Sequence, residues 1–145
     1  MTILALDPGT TETAFVLWDG RRILDADHLP NAEIRQILIG REYDLVACEW
    51  IASYGMAVGA SVFHTCRWVG KFEETARTET RLVLRRDVKL HLCNSMRAKD
   101  ANVRQALIDR LGPQGTKKSP GPTYGMRSHL WAALAVGVYA HDTNK

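Results

Sequence analysis

Residues 3–10 read ILALDPGT: four apolar residues, a carboxylate, then a Pro-Gly turn. A continuous apolar run bounded by turn residues describes a strand buried on both faces, and a chain with such a strand must cover both sides of its sheet. Asp7 stands at the exit of this strand, where an unpaired charge is costly. Two readings are open for it: a metal ion pairs with it, or its side chain caps the turn, as Asp often does. Residues 44–50, DLVACEW, repeat the pattern, with Glu49 near the end of a second apolar run. If the two strands are neighbours, Asp7 and Glu49 meet near one edge of the sheet. They cannot then both ionise cheaply without a cation between them. An ion pair between Glu49 and an Arg is the alternative.

Between these strands, residues 13–18 and 22–29 flank Asp19-Gly20, a strong hairpin signal, so an antiparallel meander opens the chain. Asn31 is placed as the N-cap of a helix through about residue 38, with Ile34, Ile37 and Leu38 on one face and Gly40 ending it. After a loop at 51–56, Val58, Val62, Cys66, Val69 and Phe72 recur at spacings of three and four, which predicts an amphipathic helix over 58–77. Phe63 and Trp68 lie off that stripe, widening the core or forming a partner surface. Tyr54, in the loop after Glu49, is placed to stack on a base or to pack locally. A strand at 81–84, a short helix from Arg86 and a helix from Lys99 to Leu111 follow. Residues 112–125 hold four Gly, three Pro and two Lys, which predicts a long mobile loop. The last helix, about 127–141, is almost uncharged and should lie flat on the sheet with His129 near its start.

The length of 145 residues predicts one domain. With 46% hydrophobic and 24% charged residues it reads as an ordinary globular protein. There is no basic leader and no apolar run of the ~18 residues that a membrane span requires, so a cytoplasmic protein is expected. Cys48, Cys66 and Cys93 form no CxxC pair, which argues against a disulfide framework or zinc site and for free thiols. Charge is unevenly spread. Residues 1–80 hold 7 Lys/Arg against 12 Asp/Glu, whereas residues 81–118 hold 10 against 3. Arg85, Arg86, Lys89, Arg97, Lys99 and Arg104 crowd into that basic block, and Lys117-Lys118 follow in the Gly/Pro loop. Such a block suggests a polyanion, favouring nucleic acid over a solvated helical face.

In order and spacing, LALDPGT, CEW, RRDVKLHL, AKDANVRQALIDRLG and SHLWAALAV resemble the RuvC-type Holliday-junction resolvases, above all their compact bacteriophage versions. The resemblance covers nearly the whole chain. It implies an α/β, RNase H-like fold, a mixed five-stranded sheet with helices on both faces. It also implies a homodimer that binds four-way and other branched DNA, cutting two strands of like polarity with divalent metal.

Position by position, Asp7 matches the family's first-strand aspartate and Glu49 the glutamate ending its fourth strand. His129 matches the first acidic position of the C-terminal helix, where some members carry histidine. Lys89 matches a lysine that contacts DNA near the scissile phosphate. Lys99 stands one position from a second such lysine, whose column holds Asp100. Residues 51–54 match a loop that inserts an aromatic side chain into the junction; its column falls near Ala52, making Tyr54 a displaced substitute. The main departure is Ala132, where the family usually has an Asp one turn after His129. Ser128, Asp100 or water is left to complete the shell.

The resemblance thus assigns two ions ~3.5–4 Å apart to Asp7, Glu49 and His129. Mg²⁺ or Mn²⁺ is implied, with Mn²⁺ favoured because an imidazole ligand suits Mg²⁺ poorly. Two other functions remain open: a non-catalytic branched-DNA binding protein disabled at Ala132, and an RNase H-like nuclease on RNA–DNA hybrids.

Overall fold

The structure is a computed structural model that describes residues 1–144. β1 (Ile3–Asp7), β2 (Glu12–Trp18) and β3 (Ile23–Pro30) form the expected antiparallel meander. β4 (Leu45–Trp50) and β5 (Thr80–Leu84) continue on the other side of β1, each parallel to its neighbour, giving the order β3-β2-β1-β4-β5. α1 (Asn31–Gly40) and α2 (Ala60–Thr75) cover one face. α3 (Arg85–Cys93), α4 (Asp100–Leu111) and α5 (His129–Thr143) cover the other. The α/β class and the mixed five-stranded sheet agree with the sequence reading.

Strand periodicity decides which residues build the core and which do chemistry. In β1, Leu4 and Leu6 pack under α1 and α2, while Ile3 and Ala5 pack toward α5. Asp7 is next on the α5 face. In β4, Leu45 and Ala47 pack toward α5, and Glu49 follows them. Because β1 and β4 are parallel, with Leu6 opposite Cys48, the two carboxylates leave the sheet side by side. α5 crosses this face closely: a Cβ on Gly137 would lie 3.1 Å from the Cβ of Ala5 and 3.5 Å from that of Trp18. A larger residue would push Ala5 back by a few tenths of an ångström, so glycine suits this close approach.

The far end of α5 is tied to its neighbours by charge. Arg110 donates to both carboxylate oxygens of Asp142, at 2.5 and 2.6 Å, and His91 Nε2 lies 2.7 Å from Asp142 Oδ2. Hydrogen bonds from Arg110 hold the Asp142 carboxyl below its ordinary range. A depressed carboxyl contributes stability that is present above its unfolded pKa and lost as pH falls through the folded one. Asp142→Ala is expected to cost about 1–3 kcal/mol, since it leaves Arg110 and His91 without their shared acceptor. Urea denaturation at pH 7 measures this, and the cost should shrink in acid.

Several local expectations are corrected. Asn31 does not cap α1 from outside. It is the first helical residue and is buried, its side chain accepting from Thr13 Oγ1 at 2.6 Å and donating to the Gly9 carbonyl at 3.0 Å. It therefore knits the Pro-Gly turn directly after Asp7. The helix expected over 58–77 runs Ala60–Thr75, leaving Val58 in the preceding loop. Phe63 is 61% exposed on α2, whereas Trp68 packs against the core. All three cysteines are free. Within residues 112–125, the buried Thr123 donates to the Gly112 carbonyl, and Gln114 donates to the Met126 carbonyl. Among the described residues, no helix is long and apolar enough to cross a membrane.

Candidate active site

Asp7 is almost wholly buried and Glu49 is 17% exposed in its side chain. Burial, and then the negative charge of Asp7, push the Glu49 carboxyl up to about 7, with Arg85 pulling against them. This is the electrostatic mark of two carboxylates converging where water is scarce. Cys48, next to Glu49 on β4 and packed on the opposite face, has its thiol pushed up by burial and remains protonated.

His129 meets Asp7 from above. Its Nδ1 lies 2.8 Å from Asp7 Oδ2. With a carboxylate accepting, Nδ1 carries the proton, and in that tautomer of the neutral ring Nε2 keeps its lone pair. The residue before it, Ser128, has φ 50° and ψ −127°, a backbone conformation that favours glycine and costs about 1–3 kcal/mol in other residues. This bend starts α5 so that its first side chain stands over the end of β1.

Glu49 takes its own counter-charge from the basic block. Arg85 opens α3 directly after β5, whose Leu84 pairs with Trp50, so it lies beside the end of β4. Its Nη1 donates to Glu49 Oε1 at 3.4 Å, and its Nη2 donates to Asp100 Oδ1 on α4. A cavity of about 370 Å³ opens here, lined by Glu49, Arg85, Lys89, Asp100, Arg104 and His129 among others, with Ala132 in its wall. An acid-and-imidazole edge therefore faces a basic edge across one pocket.

Of the other residues expected to meet DNA, Arg86 places its guanidinium 5.3 Å from the centre of the Tyr54 ring. Tyr54 is exposed, in a left-handed conformation at φ 51°. Arg97, Lys99, Lys117 and Lys118 are exposed but do not line the cavity. Lys117 and Lys118 sit within a turn closed by reciprocal Thr116 and Ser119 backbone bonds. His28 was not anticipated. Its ring lies 5.5 Å from that of His129, and its Nε2 lies 3.8 Å from Glu12. The only signal for it is strand register: Asp7 pairs with Ala14, and Ala14 with His28.

Among the described residues, no three His, Cys, Asp or Glu side chains converge as a metal cage. His129 engages Asp7, and Arg85 engages Glu49, so each acid already has a side-chain partner. What does fit an ion is the carboxylate pair, since Mg²⁺ is commonly held by one or two carboxylates with water and substrate phosphate completing the shell.

No protein-family model and no curated protein sequence matches this chain. Solved structures do. The Thermus thermophilus RuvC structure superposes with a TM-score of 0.71 at 20% identity, covering 97% of this chain and 93% of that one. T. thermophilus RuvC in complex with Holliday junction substrate gives 0.69 at 19% identity, with the same coverage. Strand order, flanking helices and these superpositions agree: the chain has the RNase H-like fold seen in RuvC.

Proposed function

We propose that this chain is a divalent-metal-dependent endonuclease that binds and cuts four-way and other branched DNA. One observation carries the reading: Asp7 and Glu49 leave adjacent parallel strands side by side, and Glu49 lines, together with the His129 that Asp7 holds, a cavity edged by Arg85, Lys89 and Arg104. A solved structure with this fold holds a Holliday junction substrate, which supports branched DNA as the ligand.

Asp7 and Glu49 would hold one ion. The second ion implied by the resemblance finds no further carboxylate in the first turn of α5, where Ala132 stands. When bound, a divalent ion supplies an activated water and offsets charge on the phosphate. Asp7 fixes the His129 tautomer through Nδ1, and Nε2 accepts a proton from the attacking water. Lys89, half-buried in the cavity wall, sets its ammonium against the charge that develops on the scissile phosphate. The exposed cations Arg86, Arg97, Lys99, Lys117 and Lys118 hold the arms through phosphates, and Tyr54 stacks at the branch point. Paired cuts on two strands require two sites, hence a homodimer. The exposed Met56 and Phe63 support an apolar contact between copies.

Incubating a four-way junction, a duplex and an RNA–DNA hybrid with the protein in Mg²⁺ and in Mn²⁺ tests this reading. Junction-selective nicking is expected. Faster cutting in Mn²⁺ would place His129 Nε2 among the ion's ligands. Junction binding without nicks would make the chain a binding protein disabled at Ala132, and cutting confined to the hybrid would make it an RNase H. Lys89→Ala is expected to slow single-turnover cleavage about 10²-fold while junction affinity changes less than threefold. An equal loss in both would make Lys89 an ordinary phosphate contact. Junction affinity should fall with salt by a log–log slope of about −0.9 for each phosphate neutralised on duplex arms.

A further inference from the structure

Arg85 is the one member of the basic block whose cation sits directly on a carboxylate of the site. It bridges two acids of unequal exposure: Glu49, at 17%, and Asp100, at 79%. Half of its own side chain is open to solvent, so no packing fixes it there. Two anchors hold it instead, each taking one arm of the guanidinium. Glu49 is also one of the two carboxylates that would hold the ion. One oxygen of that carboxylate therefore has two rival cations.

We propose that Arg85 is a built-in competitor for Glu49, a resident cation that divalent metal must displace. Asp100 acts as the hinge post that keeps the guanidinium in the cavity after displacement. The inference rests on the nuclease reading above for what happens next: freed from Glu49 but still held at Asp100, Arg85 turns its fork to the scissile phosphate. Arg85 is thus a positioning residue in the DNA-free protein and a phosphate clamp in the complex. The exchange restrains ion binding until DNA offers the guanidinium a second anion, which couples metal loading to substrate. Lysine does not reproduce this, because one ammonium cannot present two arms to Glu49 and Asp100 together.

The test is a calorimetric titration of Mn²⁺ into the DNA-free wild type, Arg85→Ala and Arg85→Lys, with single-turnover junction cleavage run beside it. Arg85 lies on the surface, and matching circular dichroism melts would show that the variants are folded. Arg85→Ala is expected to bind Mn²⁺ about tenfold tighter, the scale on which an adjacent opposite charge changes a carboxylate's cation affinity. Arg85→Lys should fall between the two, whereas loss of bulk charge alone would leave it at the wild-type value. At saturating Mn²⁺ both variants should cut at least about tenfold more slowly, because the clamp is gone. Unchanged or weaker Mn²⁺ binding in Arg85→Ala overturns the inference even if the chain proves to be a nuclease. Tighter binding in Arg85→Ala upholds the competition even if no DNA is cut, in which case the nuclease reading alone fails. Absence of Mn²⁺ binding in all three proteins overturns both.

Discussion

Asp7→Asn is expected to lower junction cleavage by at least about 10³-fold, some 4 kcal/mol of transition-state stabilisation. The carboxylate does two things that an amide cannot. It supplies charge to the ion it would share with Glu49, and it accepts from His129 Nδ1 at 2.8 Å, which fixes the ring with its Nε2 lone pair outward. An amide at position 7 removes the first and weakens the second. Its shape is unchanged, so the Gly9–Thr13–Asn31 bonds behind the turn should survive and the fold with them. Junction binding, which depends on the basic edge, should therefore persist within about threefold. Single-turnover cleavage and gel-shift titrations on the same preparations separate the two quantities. Residual cleavage above a tenth of wild type would remove Asp7 from the chemistry.

Glu49→Gln should make the metal-free protein more stable at alkaline pH and change the shape of its pH profile. The Glu49 carboxyl is raised from 4.5 to about 7 by burial and by Asp7. Between those values the folded state binds more protons than the unfolded one, so unfolding free energy falls as pH rises, and the full penalty stands above pH 7. A displacement of that size corresponds to about 3 kcal/mol. The glutamine variant lacks this penalty. Urea denaturation in chelator at pH 4.5, 6 and 8 measures it as the difference between variant and wild type. Taking the difference also cancels carboxyls such as Asp142, whose contribution runs the other way. The difference should grow through pH 4.5–7 and level off above. A flat difference would mean that Glu49 feels neither burial nor Asp7.

Much of the site was legible in the sequence because it lies in the two most regular stretches. Apolar runs ending in Asp7 and Glu49 announce central strands, and parallel pairing then sets the acids side by side. The last helix, with His129 near its start, was legible in the almost uncharged run over about 127–141, and the family resemblance supplied the role of His129. What escaped depends on contacts that local pattern does not encode. Asn31 has the identity of a helix cap, but a partner 18 residues away, Thr13, claims its side chain. His28 reaches the site through the β2–β3 register, and that register shifts at Leu17/Trp18, so counting back from the Asp19-Gly20 turn puts the strand on the wrong face. Arg85 was legible as one charge among ten, and only the β5-to-α3 junction shows that it faces Glu49. Phe63 was ambiguous, since a side chain just off an amphipathic stripe packs or not according to its neighbours.

The most direct measurement is cleavage mapping on a four-way junction with each strand labelled in turn, in Mg²⁺ and in Mn²⁺. Cuts placed symmetrically on two opposed strands of like polarity, absent with chelator, are the expected result. Junction bound but uncut in both metals would contradict a catalytic role for Asp7, Glu49 and His129.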